Sequence, residues 1–399
     1  MSPFPHTRSD IIALTLKRMV APVCAVLLVL PLASCQVARS AGSGLQVRDA
    51  VHQLLSRDAV SVDATLGASP EEVHDYLLRS AARHGGPEPD PAAARLLAGL
   101  ELTAVVGAPS GSTPMRDVSR TDPLDSALSL GFGGKDAVGV KIIDGRTYLR
   151  IGAETLVQDA RGGDEAEISA ARRFMRRASE LPPSLRTASR ALQGSWVEVD
   201  QRRLTAYARA VERGTGMAPG PATDVAAALR NGLAMLDPQE QWALVDRLGA
   251  GLRSGVSVRR AAPEHGADIY LVELTAGHAR EALGPLLDLL EQESERFGLP
   301  PVVEDPADPG QRVVAELEVR NGLLTHASFD LGQFAGPDGG TLPLELGLTG
   351  GTAISLAPPA TEGTLVPEDI TVALMYLDVL ERQRAENPGR ANIPGPLQP

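Results

Sequence analysis

From residue 60 onward, apolar and polar positions alternate in short runs, and these runs are separated by segments with helical spacing. Val60, Val62, Ala64 and Leu66 alternate, as do Leu128, Leu130 and Phe132, so residues 60–66 and the stretch around 128–132 are expected to be strands whose alternate side chains share one face. Residues 100–106, 195–199, 256–260, 268–274, 342–348 and 352–356 read the same way. Helical spacing appears at Leu45, Val47, Val51, Leu54 and Leu55, and again at Ile370, Leu374, Leu377 and Leu380. A helix over about 70–83 has a capping serine at Ser69, Pro70 at its first position and Glu71 and Glu72 at its positive end, and Gly85-Gly86 stops it. Residues 87–99 read as a Pro/Asp loop before the next strand, and 107–121 as a polar loop. Further helices are expected over 162–181, 203–212, 223–236, 238–252 and 281–297; the last has Leu283, Leu286, Leu287 and Leu290 in a stripe that suits helix-on-sheet packing.

Two turns set hairpin registers. Asp144-Gly145 is a type I′ signal, since both residues tolerate positive φ. A two-residue loop there pairs Val138 with Ile151, Val140 with Leu149 and Ile142 with Thr147. Val138, Val140, Ile142, Leu149 and Ile151 then lie on an apolar face, and Gly139, Lys141, Tyr148 and Arg150 on a wet one. At Asn321-Gly322, a two-residue loop sets His326 opposite Leu317. A three-residue loop sets Leu317 against Thr325, Ala315 against Ala327, Val313 against Phe329 and His326 against Glu316, which separates apolar from polar and is the register expected. The order of strands, helices and strands predicts an α+β fold with helices packed on one side of an antiparallel sheet.

The first 35 residues follow a different pattern. Lys17-Arg18 precedes an apolar run over 19–30, and Leu32-Ala33-Ser34-Cys35 closes it. A basic segment, a short apolar core and small residues before a cut make a secretory signal. A transmembrane helix is the competing reading, but the run falls short of the ~20 residues that a span needs and holds Pro22, with Pro31 just after it. The Leu-Ala-Ser-Cys sequence resembles the lipobox of bacterial lipoproteins, which implies a diacylglycerol thioether at Cys35 and an anchor on the outer face of the cell membrane. The expected organisation is a signal over 1–34, a tether over 35–44, one domain over 45–385 and a disordered Pro/Gly tail over 386–399.

Composition narrows the function further. The chain has 399 residues and a formal charge of −12. The signal carries Arg8, Lys17 and Arg18 against Asp10, so the remainder stands near −14. An acidic body disfavours nucleic acid and broad adhesion to anionic lipid. The two cysteines are Cys24, inside the signal, and Cys35, so no disulfide or thiolate metal site is expected in the exported part. Aromatic residues make up 3 %, which suits an aliphatic pocket rather than sugar platforms or base stacking. Trp196 is expected as a bulky core anchor at the sheet edge rather than a ligand contact.

Catalytic signatures fail. Gly133-Gly134-Lys135 is followed by Asp136 where a phosphate loop needs Ser or Thr, and Gly249 to Gly255 has the wrong spacing for a dinucleotide loop. There is no Gly-x-Ser-x-Gly elbow, and no two histidines have ligand spacing on a helix. No enzyme, metal or cofactor is expected.

The order of pieces is informative as a whole. A lipobox leads to a helix and strands, then to the hairpin Val-Lys-Ile-Ile-Asp-Gly-Arg-Thr-Tyr-Leu-Arg-Ile-Gly at 140–152. A Gly-Ser-Trp-Val-Glu-Val-Asp strand at 194–200, a helical block, a Tyr-Leu-Val-Glu-Leu strand at 270–274, a leucine-striped helix and closing hairpins follow. This order resembles the actinobacterial LprG/LppX lipoproteins and the wider LolA-like superfamily over most of 47–356. The resemblance implies a half-open antiparallel β-barrel whose concave face is covered by helices, with a cavity between the layers for acyl chains of lipid or lipidated molecules. The helix at 69–83, the excursion at 161–189 and the C-terminal helix look like additions that lid, narrow or replace that cavity. The apolar sheet positions expected to line it are Leu128, Leu130, Phe132, Val138, Val140, Ile142, Leu149, Ile151, Leu317 and Phe329. The alternative is a non-catalytic envelope interaction protein (sensor, scaffold or chaperone) of the same fold with a filled core.

Overall fold

The computed structural model describes residues 42–111, 113–119, 122–160, 163–220, 256–281, 308–335, 339–361 and 363–386, with a few helical positions between 222 and 233. Eleven strands form a single antiparallel sheet. In chain order they are β1 (Ala59–Leu66), β2 (Leu100–Gly107), β3 (Asp125–Phe132), β4 (Lys135–Ile143), β5 (Arg146–Ile151), β6 (Val197–Val199), β7 (Ser257–Arg260), β8 (Asp268–Thr275), β9 (Arg312–Arg320), β10 (Leu323–Asp330) and β11 (Pro343–Gly350). Their spatial order is β6-β5-β4-β3-β2-β1-β11-β10-β9-β8-β7. The sheet is therefore two meanders running outward from a central seam where the first strand meets the last, with Val62 opposite Leu348 and Ala64 opposite Leu346. It stays open, with β6 and β7 as its edges.

Period-two alternation gives the sheet one apolar side. Strand pairing aligns Val62, Ala104, Leu128, Val140, Leu149 and Val197 in one row and Ala64, Leu102, Leu130, Val138 and Ile151 in the next. On the other half, Leu346, Ala327, Leu317 and Tyr270 continue the same side. Seven helices matter to what covers it: α1 (Ser43–Leu54), α2 (Pro70–His84), α3 (Pro91–Ala98), α4 (Glu165–Ala178), α5 (Arg186–Leu192), α6 (Leu204–Thr215) and α7 (Pro367–Glu386). The stripe Val47, Ala50, Val51 and Leu54 of α1 packs into one core cluster with Val258, Tyr270, Leu317, Val319 and Leu324. Tyr270 Oη also donates to Gln46 Oε1 at 2.9 Å. Helices α5, α6 and α7 form a second cluster with Val140, Val197 and Val199, and α2 and α3 form a third with Leu274, Val313, Phe334 and Leu342.

Local chemistry explains the helix ends. Ser69 Oγ accepts from Glu72 N at 3.2 Å, and Ser69 N donates to Glu72 Oε2 at 2.8 Å, a reciprocal capping box. Hydrogen bonding from the Ser69 backbone, and next from its side chain, holds the Glu72 carboxyl below the usual carboxylate range. Gly85, at φ 64°, closes the helix in the left-handed conformation that glycine takes without penalty. Residues 91–98 form a helix where a loop is expected, because Asp90 Oδ1 caps Ala92 N at 2.9 Å and Pro91 sits at the first position.

The first hairpin has the register derived from its turn, from Ile143 opposite Arg146 to Val138 opposite Ile151. Its second face is not wet, however: Lys141 and Tyr148 are buried. The second long hairpin departs from both registers considered. The turn is two residues, with Leu323 opposite Arg320. A bulge at Thr325 then shifts the pairing, so Ala327 faces Leu317, Phe329 faces Ala315 and His326 faces Glu318. The bulge reconciles the short turn with an unbroken apolar side. His326 therefore does not pair with Glu316; its Nε2 lies 2.6 Å from Glu345 Oε2 on β11.

Residues 351–361 and 363–366 correct the expectation of a last strand at 352–356. They cross the outer side of the sheet from β11 to β6. Ser61 Oγ donates to Gly351 O at 2.8 Å and accepts from Ala353 N at 2.7 Å. Ile354 and Leu356 pack on Ala59, Val105 and Ala127. At the far end, Leu365 N donates to Glu198 O and Thr364 bridges Glu198 in parallel, which occupies the β6 edge and blunts it as a template. The crossing delivers α7, whose Ile370, Leu374 and Leu377 face the core; Val372, Met375, Tyr376 and Val379 point outward. The expected helices at 223–236, 238–252 and 281–297 lie wholly or largely outside the described residues, as do the signal, Cys35 and the C-terminal tail.

Candidate functional site

All ten apolar positions expected to line a cavity lie on strands, on the inner side of the sheet, but they do not form one lining. Leu128, Leu130, Phe132 and Leu317 belong to the first core cluster, with Val138 and Ile151 packed on its border. Val140 belongs to the second, bordered by Ile142 and Leu149. Phe329 packs against the third. The first two clusters meet over β3–β5: Leu128 and Val140 are cross-strand partners yet belong to different clusters, and Leu149 and Ile151, two residues apart on β5, do as well.

One row of the inner side carries hydroxyls that the apolar pattern hides. Val60, Val106, Ser126, Ile142, Thr147 and Val199 align across β1 to β6. Ser126 is in phase with Leu128 and Leu130, so alternation alone places it inside, although a polar residue does not count toward an apolar lining. It is 1 % exposed, and its Oγ has no hydrogen-bond partner among the described residues. Thr147, across Ile142 from it, is also buried. Next to this row stands Asp125, whose Oδ1 accepts from Asp144 N at 3.0 Å and so holds the exposed β4–β5 turn.

Burial raises the Asp125 pKa above the ordinary aspartate value, outweighing that hydrogen bond. The folded chain then holds the proton more tightly than the unfolded one. This group's effect on stability turns unfavourable as pH climbs from the ordinary value through the raised one. Asp125→Asn keeps the acceptor and removes the charge. The variant is expected to melt higher than the parent at neutral pH, with the gap closing below about pH 4, the ordinary aspartate value. Paired thermal melts across that range check it; a gap that persists in acid refutes burial as the cause.

The outer side holds a second polar group. Lys141 is 7 % exposed, and its Nζ donates to Ser355 O at 2.6 Å under the crossing segment. Trp196 precedes β6 rather than lying on it, and it is no edge anchor of the core. Its ring rests on Gly139, 5.1 Å from Lys141 Nζ and 6.0 Å from the Arg150 guanidinium carbon. Arg150 in turn lies 3.4 Å from Asp136, which accepts from Ser129 Oγ at 2.7 Å. Burial first and the Arg150 charge second push the Lys141 pKa down. Within this cluster Lys141 fastens the crossing segment to the sheet: its bond to Ser355 O stands where residues 352–356 lack strand pairing, and the indole lies beside the ammonium.

Among the described residues no three His, Cys, Asp or Glu side chains sit together as metal ligands, and no helix is long and apolar enough to cross a membrane. Neither a protein-family model nor a curated protein matches the chain.

Proposed function

We propose that this chain is a membrane-anchored, exported lipoprotein that binds or carries lipid or lipidated molecules between its sheet and its helices, without catalysis, on a half-barrel of the kind found in the LprG/LppX and LolA-like proteins. The observation that carries the reading is the open eleven-strand antiparallel sheet whose inner, mostly apolar side lies under helices. It follows a Leu-Ala-Ser-Cys sequence that suits an anchor at Cys35. An acyl chain gains about 0.8 kcal/mol per buried methylene, so only a dry, extended apolar surface competes with a bilayer for it. The anchor raises the concentration of the domain at the donor membrane, on its extracytoplasmic face.

The experiment is native mass spectrometry with organic extraction on the full chain purified from a bacterial host that processes lipoproteins. A reproducible added mass that extracts as lipid, beyond that of the anchor, supports the carrier. A bare mass with no uptake of offered acyl lipids refutes it. The anchor is tested separately: Cys35→Ser is expected to abolish palmitate labelling and to move the protein from the membrane to the soluble fraction. A variant that stays fully in the membrane refutes the lipobox.

A second reading, a non-catalytic envelope sensor, scaffold or chaperone with a filled core, draws on one observation. Leu102, Phe132 and Leu324 on the inner side are almost wholly buried within the protein itself. The bare mass above is its expected result.

A further inference from the structure

We infer that Ser126 is the polar contact of the ligand seat: its buried hydroxyl hydrogen-bonds the ester carbonyl of an acyl lipid whose chain lies over β3–β5. This rests on the carrier reading and assigns a place and an orientation to its ligand.

Four observations converge. The hydroxyl is buried without a partner, and a buried unsatisfied polar group costs free energy that a ligand acceptor recovers. It stands where the first and second core clusters meet, paired with Val106 of the first and with Ile142 on the border of the second. It lies in the row next to the β4–β5 turn, at Asp144-Gly145, whose residues are exposed, so a polar head placed there reaches the rim. Beyond it, the next rows are wholly aliphatic: Leu128, Val140 and Leu149, then Leu130, Val138 and Ile151. From Ser126 to Leu130 the strand advances about 14 Å, a track along the sheet for the chain with the ester at its outer end. Thr147, buried in the same row, lies two strands away, about 10 Å from Ser126, so Ser126 alone contacts the ester carbonyl. The ligand class is therefore an acyl ester, held by dispersion along the rows and oriented by one hydrogen bond.

The test compares Ser126→Ala with the parent, both as full chains freed of bound lipid in a maltoside detergent, using two probes: methyl palmitate, which has the carbonyl, and hexadecane, which does not. Retention is read by native mass spectrometry. The expected result is a roughly three- to tenfold loss of methyl palmitate binding in Ser126→Ala, the size of one hydrogen bond, with hexadecane unchanged. In the empty protein the same substitution is expected to raise the melting temperature, because it removes an unsatisfied group. Equal loss of both probes makes Ser126 a packing position and overturns the inference. So does no loss of either, and so does a lowered melting temperature, which means a structural partner. A parent that binds neither probe refutes the carrier reading and this inference with it, whereas a parent that binds both and a variant that does the same refutes this inference alone.

Discussion

Phe334→Ala is expected to destabilise the folded chain by about 3–5 kcal/mol, the range for emptying a core phenylalanine site. The ring is fully buried in the third core cluster, among Val73, Tyr76, Leu77, Leu274, Val313 and Leu342. It lies 5.5 Å from Phe329, tilted by 51°, a geometry that adds about 0.5–1.5 kcal/mol to the area term. The site is a short turn of 3₁₀ helix, Leu331–Ala335, whose start is pinned: Asp330 Oδ1 accepts from Gly332 N and from Leu342 N. It has little freedom to collapse into the vacated space. Against a typical stability of about 5–15 kcal/mol, the loss is a large share of the total. Urea denaturation is expected to show a lower midpoint with an unchanged slope. A loss below about 1 kcal/mol would mean that α2 and α3 close over the gap, contrary to the packing described.

Gly139→Val tests the outer side. A Cβ at Gly139 would lie 2.6 Å from Trp196 Cη2 and 3.0 Å from Cζ2, closer than carbon atoms tolerate. The indole must then leave the strand, and Lys141 and Arg150 lose the ring between them. Overpacking of this kind costs about 1–3 kcal/mol. The spectroscopic sign is a red shift of tryptophan emission as the ring enters water. Faster amide exchange over residues 351–357 is the second expected sign, because Lys141 then holds Ser355 without the stacked ring. Unchanged emission and exchange would show that Trp196 plays no part in fastening the segment.

Much of the sheet was legible before any coordinates. The Asp144-Gly145 turn determined six cross-strand pairs by itself, since its geometry allows one register and the apolar alternation agrees with it. Ser69, Glu72 and Gly85 marked a helix at both ends because each satisfies a backbone group there, and Pro70 because it brings no N–H to the first position, where one would go unpaired. The Asn321-Gly322 hairpin misled because a bulge at Thr325 changes the phase after the turn, and period-two reasoning has no term for an inserted residue. Residues 352–356 alternate like a strand, yet their partners are side chains of the outer sheet face, Ser61 and Lys141. Lys141 reads as a wet position in the sequence because nothing local shows that a segment some 214 residues away lies over it. Among the candidate lining residues, the inward direction was readable and the division into clusters was not: alternation gives the side of the sheet, whereas the clusters depend on which helices lie above it. Ser126 and Thr147 share the inner phase with the apolar positions, and an apolar lining does not include them because they are polar.

The seam between β1 and β11 has a consequence for how the chain is made. Every other ladder joins neighbours along the chain, but this one joins residues separated by nearly the whole domain, such as Val60 and Gly350. The two meanders can each collapse early, while the middle of the sheet stays unzipped until the last strand has emerged, and closure across so long a loop is slow. A nascent chain that has emerged only as far as β10 exposes the unpaired edges of β1 and β10 until β11 arrives to fill the seam.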